Sequence, residues 1–345
     1  MIHGLSAEEF LRTIETTPCF DLRSPAEFER GHIPGAVNIP LFDNEERARI
    51  GTLYRQKGRA VAMEIGLEIV ASKVILMLNS FKQHAPGMRI ALHCWRGGMR
   101  SSSVAWMLDL YGFHVSTLKG GYKAYRHHQE ICFQQFSNIR ILGGYTGSAK
   151  TELLLALKQE GHQVIDLEGI ARHRGSAFGW IKDAEQPSSE QFMNEVFHQL
   201  RQLNPEQPVW MEDESRSIGC VYLSPTLFAR IKSSPMLMLD IPQAERILYL
   251  KQIYGDVSPG EVRSIIDKLQ KRMGGQHVKA ALQALDEGNS AEVLRLLLNY
   301  YDKSYRHSMA GHSRTVYTLA VETISIPDLS KQIALWIKQA KKQSS

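Results

Sequence analysis

The fold is decided by the stretch Ile139-Arg140-Ile141-Leu142-Gly143-Gly144-Tyr145-Thr146-Gly147-Ser148-Ala149-Lys150-Thr151. Its apolar start predicts a strand over residues 139–142, and the leucine-rich segment from Thr151 predicts a helix. A glycine-rich loop between a strand and a helix is typical of a phosphate-binding loop, because backbone amides and the helix N-terminus attract phosphate oxygens. In such a loop Lys150 reaches the terminal phosphate, and Thr151 is a candidate Mg²⁺ ligand.

This loop departs at one position from the usual phosphate-loop pattern, G-x-x-x-x-G-K-[ST]. Ala149 stands where the second glycine is expected. If the position requires a positive φ, alanine narrows the conformations open to the loop, which argues against ordinary ATP turnover more than against diphosphate binding. We therefore predict a diphosphate site formed by Gly144, Gly147, Ser148, Ala149, Lys150 and Thr151.

Charged side chains at the ends of the neighbouring strands are the expected partners of this loop. Asp166 and Asp213 follow predicted strands, and each is either a Mg²⁺ partner or a solvated loop acid. Arg246 ends a segment, residues 240–246, that resembles the strand-to-helix segment of P-loop kinases. This arginine either faces the phosphates or lies on the surface.

A second loop reads His93-Cys94-Trp95-Arg96-Gly97-Gly98-Met99-Arg100-Ser101, again between a predicted strand and a predicted helix. Backbone amides and a helix N-terminus around Cys94 would favour its thiolate, the nucleophilic form. Arg96 and Arg100 add positive charge that would hold an anionic donor, and Gly97 and Gly98 permit close backbone approach. A buried cysteine that only packs is the alternative, which the two arginines and two glycines disfavour.

Composition excludes several other classes of protein. The chain has 345 residues, 43% hydrophobic and 22% charged, which excludes a largely disordered chain and a coiled coil. None of the four cysteines lies in a C-x-x-C pair, so cysteines alone form no zinc site. A net charge of +5 permits an anionic partner such as RNA. We see no membrane span and no signal peptide, so the cytoplasm is the expected compartment.

Three motifs in the first part of the chain resemble the rhodanese (sulfurtransferase) domain. They are the cysteine loop, the segment around Asp21 and Arg23, and the turn Gly31-His32-Ile33-Pro34-Gly35. The resemblance implies that Cys94 carries sulfur or selenium as a persulfide or perselenide, that Asp21 and Arg23 brace the loop, and that His32 is structural. We predict an α/β protein with a rhodanese-like domain and parallel sheet over residues 1–133. A P-loop kinase-like α/β domain with a helical C-terminal part follows over residues 138–345.

Further segments extend the resemblance to the whole chain. They are Tyr54-Arg55-Gln56-Lys57-Gly58, Asp166-Leu167-Glu168-Gly169-Ile170-Ala171-Arg172-His173-Arg174-Gly175-Ser176 and Glu212-Asp213-Glu214-Ser215-Arg216. On these motifs the chain resembles the tRNA 2-selenouridine synthase family. The resemblance implies that geranyl diphosphate alkylates the sulfur of 2-thiouridine at the wobble position of tRNAs for Lys, Glu and Gln. Selenium from selenophosphate, carried by Cys94, then replaces the S-geranyl group. It implies no tightly bound cofactor, and a selenophosphate-supplying enzyme is a candidate partner.

Basic and aromatic side chains are candidates for RNA contact. Aromatic rings can stack a flipped-out base, and Trp95, Phe178 and Trp180 are placed to do so in the sequence. For any single basic residue a solvated surface position is the alternative, although the set suits tRNA. The basic candidates are Arg55, Lys57, Arg59, Arg172, Arg174, Lys271 and Arg272.

Two other functions remain open at this stage. One is a plain sulfurtransferase with a nucleotide-driven second domain, which ATPase activity would reveal. The other is a non-catalytic RNA-binding module built on former enzyme domains. The presence of Cys94, Arg100, Lys150 and Thr151 argues against the second.

Overall fold

The computed structural model describes residues 2–173, 185–254, 258–309, 311 and 314–343. The chain divides into two compact units. The first comprises Met1–Cys132 and Met193–His198, and the second comprises Phe133–Phe192 and Gln199–Ser345. None of the helices in the described ranges is long and apolar enough to cross a bilayer.

The first unit is built on a five-stranded parallel sheet in the order β1-β5-β4-β2-β3. Its strands are β1 (Ile2–Leu5), β2 (Cys19–Asp21), β3 (Val37–Asn38), β4 (Arg89–His93) and β5 (His114–Leu118). Its helices are α1 (Ala7–Thr13), α2 (Pro25–Arg30), α3 (Asn44–Lys57), α4 (Arg59–Ala71), α5 (Val74–His84), α6 (Met99–Tyr111) and α7 (Gly121–Gln135).

The central position of β4 follows from its sequence. Ile90, Ala91 and Leu92 are all buried, as a strand covered on both faces of a parallel sheet requires. They pack with Phe20 and Phe81 in one apolar cluster. The carboxyl end of β4 is therefore rigid, and it delivers Cys94 to the edge of the sheet where the loops of a parallel sheet meet.

The second unit contains another five-stranded parallel sheet, in the order β12-β11-β6-β8-β7, and a short antiparallel pair. The sheet strands are β6 (Ile139–Gly144), β7 (Gln163–Val164), β8 (Val209–Glu212), β11 (Met236–Asp240) and β12 (Val316–Ala320), and the pair is β9 (Ser217–Ile218) with β10 (Val221–Tyr222). The helices are α8 (Lys150–Gln159), α9 (Leu167–Ala171), α10 (Ser189–Arg201), α11 (Pro225–Ser233), α12 (Gln243–Tyr254), α13 (Pro259–Met273), α14 (Gly275–Asp286), α15 (Ser290–Met309) and α16 (Ile326–Gln343).

Two apolar clusters hold the second unit together. One lies around the sheet, where Leu142 and Leu239 pack with Leu153 of α8. The other joins the helices α12 to α15 through residues such as Leu269 and Leu297. This confirms the predicted α/β class and the helical C-terminal part.

The structure departs from the predicted elements in detail. The strand predicted over residues 164–167 is shorter, because Asp166 accepts a hydrogen bond from the amide of Gly169 and starts α9 there. The apolar helical pattern over residues 61–78 is interrupted, since α4 ends at Ala71 and α5 begins at Val74.

Candidate functional site

Cys94 lies directly after β4 and is 2% exposed. Its Sγ is 3.3 Å from Oγ of Ser101 in the first turn of α6. The Ser101 hydroxyl donates to the carbonyl of Gly98 at 3.0 Å, so its oxygen can accept from the thiol. Within the described ranges, the backbone amides of residues 95–98 donate to no backbone carbonyl outside the regular helices and strands.

The start of α7 clamps this loop from outside. The amide of Tyr122 donates to the carbonyl of Cys94 at 2.9 Å, and the amide of Lys123 donates to that of Trp95 at 3.0 Å. A Cβ on Gly121, whose φ is +61°, would lie 2.3 Å from the Cys94 carbonyl oxygen. Only glycine fits at that position, so the loop conformation depends on it.

Beneath the loop lies a buried ion pair between Asp21 and Arg23. Two guanidinium nitrogens of Arg23 contact Oδ2 of Asp21 at 2.9 and 2.6 Å, and Nη2 also donates to the carbonyl of Gly31 at 2.6 Å. Burial would raise the pKa of Asp21, but His93 and Arg23 hold it below its ordinary value. The guanidinium lies 3.8 Å from the ring centre of Tyr122, so it supports the clamp.

The two loop arginines differ in environment. Nη1 of Arg100 contacts Oε2 of Glu27 at 3.1 Å, and Arg47 lies 3.7 Å from the same carboxylate. Arg96 is exposed. The charge of Arg100 is therefore shared with Glu27, which lies on α2 and was not part of the predicted site.

The phosphate loop joins β6 to α8, as the sequence pattern indicates. Nζ of Lys150 donates to the carbonyl of Gly144 at 3.1 Å, which folds the side chain back over the loop. The hydroxyl of Ser148 is buried without a hydrogen-bond partner in the described structure, and a bound phosphate oxygen would supply one. A Cβ on Gly147, at φ +82°, would lie 3.0 Å from the side chain of Leu250.

Ala149 adopts the left-handed conformation, with φ 55° and ψ 29°, and is buried. The second glycine of the usual pattern would reach this conformation without steric cost. For alanine the cost is on the order of 1–2 kcal/mol, which the rest of the loop must offset.

Three glutamates, Glu168, Glu212 and Glu214, form an acidic cluster beside the loop. Their carboxylate oxygens lie within 4.8 Å of one another, and the Thr151 hydroxyl donates to Glu168 at 3.2 Å. Burial and then the neighbouring Glu168 raise the pKa of Glu212 and raise that of Glu214 to about 8. Oxygen ligands of this kind suit Mg²⁺, which would relieve their mutual repulsion.

From the sequence, the expected acidic partners were the segment that ends β8, with Asp213 singled out, and Asp166. The structure brings Glu212 and Glu214 of that segment together with Glu168, whereas Asp213 and Asp166 have other partners. Asp213 is buried, and Arg314 and Lys232 hold its pKa at about 2 despite burial. It accepts from Lys232 at 2.8 Å, from Arg314 at 2.8 and 2.9 Å, and from Tyr305 at 2.7 Å. The carboxylate of Asp166 caps α9.

Arg246 is also engaged within the protein rather than turned toward the phosphate site. Its terminal nitrogens contact both carboxylate oxygens of Asp302, at 3.0 and 2.7 Å. Nη1 also donates to the carbonyl of Thr146 at 3.0 Å, and Nε to that of Ile241 at 3.2 Å. Arg246 is therefore a brace of the phosphate loop.

Most predicted RNA contacts are exposed. Arg55, Lys57 and Arg59 lie on the surface where α3 meets α4, and Lys271 and Arg272 on the surface at the end of α13. Arg172 is exposed, and its Nη1 donates to the carbonyl of Glu185 at 3.2 Å. Trp95 is partly exposed, with its ring centre 5.7 Å from that of Tyr122. Arg174, Phe178 and Trp180 lie outside the described residues.

Comparison with known proteins places this chain in a family. Residues 6–128 match the Rhodanese-like domain, and residues 137–259 match the tRNA 2-selenouridine synthase AAA domain. A tRNA 2-selenouridine synthase of Marinobacter nauticus is 34% identical over 336 residues, which cover 86% of this chain and 89% of the relative.

The chain belongs to the tRNA 2-selenouridine synthase family. The family member of Hydrogenovibrio crunogenus is 34% identical and covers 88% of this chain and 92% of its own length. That of Nitrosomonas europaea is 39% identical over 246 residues, which cover 68% of this chain and 62% of the relative.

Proposed function

We propose that the chain converts 2-thiouridine at the wobble position of tRNAs for Lys, Glu and Gln to 2-selenouridine in two reactions. In the first, the thiocarbonyl sulfur attacks geranyl diphosphate and diphosphate leaves. In the second, selenium derived from selenophosphate and carried by Cys94 replaces the S-geranyl group. Alkylation precedes selenation in this proposal, because a geranyl thiol leaves more readily than a thiocarbonyl sulfur.

One observation carries the proposal: a single chain holds both an anion-binding cysteine loop and a phosphate loop with its lysine and threonine in place. A plain sulfurtransferase needs only the first. The phosphate loop binds a diphosphate whose charge grows as the carbon–oxygen bond breaks, so its amides and Lys150 stabilise the transition state more than the ground state.

Mg²⁺ fits the proposed first reaction. Glu168, Glu212 and Glu214, with the hydroxyl of Thr151, would hold the ion beside the phosphate loop. Without a cation, these carboxylates would, once ionised, repel the diphosphate that Lys150 and Ser148 attract. The ion supplies positive charge to the leaving group when bound.

The proposed second reaction uses the cysteine loop. Selenophosphate, supplied by a separate enzyme, is an anion, and the amides of residues 95–98 with the exposed Arg96 attract it to the cysteine. Because the selenium of selenophosphate is at the selenide level, it loads onto Cys94 by attacking Sγ in a mixed disulfide with a small thiol; that thiol leaves, and water cleaves the P–Se bond to release phosphate and leave a perselenide. The perselenide displaces the geranyl thiol from the uridine, and the small thiol then attacks Sγ, which releases the selenouridine and restores the disulfide. Ser101 holds Sγ by a contact of 3.3 Å. Trp95, partly exposed and next to Cys94, would stack against the uridine base.

The test is mass analysis of nucleosides from thiolated tRNA. Incubation with geranyl diphosphate alone should yield S-geranyl-2-thiouridine, and addition of selenophosphate should yield 2-selenouridine. Selenouridine formed without any geranylated intermediate would contradict the proposed order. ATP hydrolysis stimulated by tRNA would instead favour the nucleotide-driven sulfurtransferase.

A further inference from the structure

The cleft beside the phosphate loop is lined by two chemically different sets of residues. It has a volume of about 410 Å³, within the range of about 300–1,000 Å³ typical of small-molecule sites. The phosphate loop and the acidic cluster line part of it. Leu155, Tyr249, Ile253 and Tyr301 also line it, and we call these four residues the apolar wall.

The apolar wall begins where the phosphate loop ends. Leu155 follows Thr151 by one turn of α8, and Tyr301 precedes Tyr305 by one turn of α15, so each lies about 5–6 Å further along its helix. Tyr305 itself touches the loop, because its hydroxyl accepts from the amide of Gly144 at 3.4 Å. A ligand with its phosphates in the loop would therefore continue along the wall.

The exposure of the leucines on α8 also indicates that Leu155 faces the cleft. Leu153, Leu154 and Leu157 are buried in the protein, whereas Leu155 is 42% exposed and lines the cleft. The Tyr301 hydroxyl has no hydrogen-bond partner in the described structure. Leu155 and Ile253 thus present carbon to the cleft beside two tyrosine rings and the hydroxyls of Ser304 and Ser308, and covering the carbon surface with an apolar ligand would remove it from water.

We propose that the apolar wall binds the hydrocarbon chain of the allylic diphosphate and sets the chain length that the enzyme accepts. The inference rests on the proposed function, whose phosphate end it extends. A nucleotide is the competing ligand for such a cleft. Its base carries nitrogen donors and acceptors that Leu155 and Ile253 cannot satisfy, although Ser304 and Ser308 could, so ATP is included in the binding test.

The experiment is equilibrium binding to the full chain, measured with geranyl diphosphate, inorganic diphosphate and ATP. Wild type should bind geranyl diphosphate at least tenfold more tightly than inorganic diphosphate. Leu155→Ser combined with Ile253→Ser should weaken geranyl diphosphate binding about tenfold or more, with inorganic diphosphate unchanged within twofold. Leu248→Ser is the matched control, since Leu248 lies on α12, is 55% exposed and does not line the cleft.

A second variant keeps the proposal testable if the double variant does not fold. Tyr301→Ala removes one ring of the wall, so it should weaken geranyl diphosphate binding severalfold while inorganic diphosphate binding stays within twofold. The proposal would be overturned if the double variant lost affinity for geranyl diphosphate and for inorganic diphosphate equally. It would also be overturned if wild type bound ATP more tightly than geranyl diphosphate and the wall substitutions abolished ATP binding.

Kinetic measurements distinguish a wrong assignment of the apolar wall from a wrong proposed function. If wild type geranylates tRNA and the double variant keeps its KM for geranyl diphosphate, the wall is wrongly assigned and the function stands. If wild type transfers no allylic group at all, the proposed function fails. In the supporting outcome, the double variant raises that KM about tenfold and narrows the preference for geranyl over dimethylallyl diphosphate.

Discussion

Arg246 and Asp302 form a buried ion pair with two contacts, of 3.0 and 2.7 Å. The same arginine holds the carbonyl of Thr146 at 3.0 Å, so one side chain links α12 and α15 to the phosphate loop. An arginine that meets a carboxylate in this way is not available to a ligand. It fixes the loop that a ligand would enter.

Removing one partner of this pair should be costly. Asp302→Ala leaves the guanidinium buried without its counter-charge, which typically costs about 3–5 kcal/mol. We expect a loss of that size in the free energy of unfolding, measured by urea denaturation, together with weaker diphosphate binding. Asp286→Ala is the control, since its pair with Arg263 is exposed. Equal effects of the two substitutions would contradict the bracing role.

Cys94→Ser should abolish selenation and leave geranylation largely intact, because only the second reaction requires a thiol that carries selenium. The measurement is nucleoside analysis after each reaction. Cys220→Ser, at an exposed cysteine, should change neither reaction. Conversion of S-geranyl tRNA to selenouridine tRNA by the Cys94→Ser protein would show that another group carries the selenium.

Lys150→Ala should have the converse effect. Loss of a transition-state contact to the departing diphosphate typically costs about 2.7–4 kcal/mol, or roughly 100- to 1,000-fold in rate. Single-turnover rates should fall by that factor from thiolated tRNA and stay nearly unchanged from tRNA supplied already geranylated. Lys158→Ala, at an exposed lysine of the same helix, is the control. Equal losses from both starting tRNAs would mean that the two loops do not divide the reactions.

Binding of Mg²⁺ should depend on pH. Burial and Glu168 raise the pKa of Glu214 from 4.5 to about 8, so the ion must displace a proton below that pH. Affinity should then fall by up to about tenfold per pH unit below about 8. We expect Mg²⁺ to raise the Tm more at pH 8.5 than at pH 6.5, both chosen to bracket the pKa of about 8.

Substitution of the same residue provides the control for this pH dependence. Because the folded-state pKa of Glu214 is raised, its contribution to stability is lost as pH rises through about 8. In the absence of Mg²⁺, Glu214→Gln should therefore be more stable than wild type on the alkaline side, with little response to added Mg²⁺. Glu206→Gln, at an exposed carboxylate, should behave as wild type. An equal Mg²⁺ response at both pH values would refute the site.

Salt should weaken tRNA binding through the exposed basic residues near the α3–α4 junction. Each phosphate contact contributes about 0.7–0.9 to the slope of log affinity against log salt. Replacing Arg55, Lys57 and Arg59 by Gln should reduce that slope by roughly 2–3. Lys82→Gln should leave it unchanged, since Lys82 contacts the Tyr111 hydroxyl at 3.2 Å. A slope unaffected by the triple substitution would place the RNA elsewhere.

The sequence predicts the fold well because the fold depends on local patterns. Apolar runs and the glycine loops that follow them locate the strands β4 and β6 and the helices after them. Even the backbone of Ala149 could be anticipated, because the pattern places a glycine there. Each of these signals lies within a few residues of the feature that it predicts.

The site is less predictable because its side chains meet across long stretches of chain. Nothing near Asp213 indicates that Arg314 and Lys232 will pair with it, and nothing near Arg100 indicates Glu27. One sequence signal for the acidic cluster was available. Glu212 and Glu214 alternate with Asp213 at the end of a strand, and residues two apart on an extended chain point to the same side.

The clamp at Gly121 has a consequence for how sequence variation in this protein is interpreted. The carbonyl of Cys94 occupies the space that any side chain at position 121 would need, so the geometry around Cys94 depends on the absence of a side chain at Gly121. Intolerance to substitution is therefore no evidence that a residue meets substrate. Position 121 should be as restricted as position 94, although we propose a chemical role only for Cys94 and Gly121 only leaves room for its carbonyl.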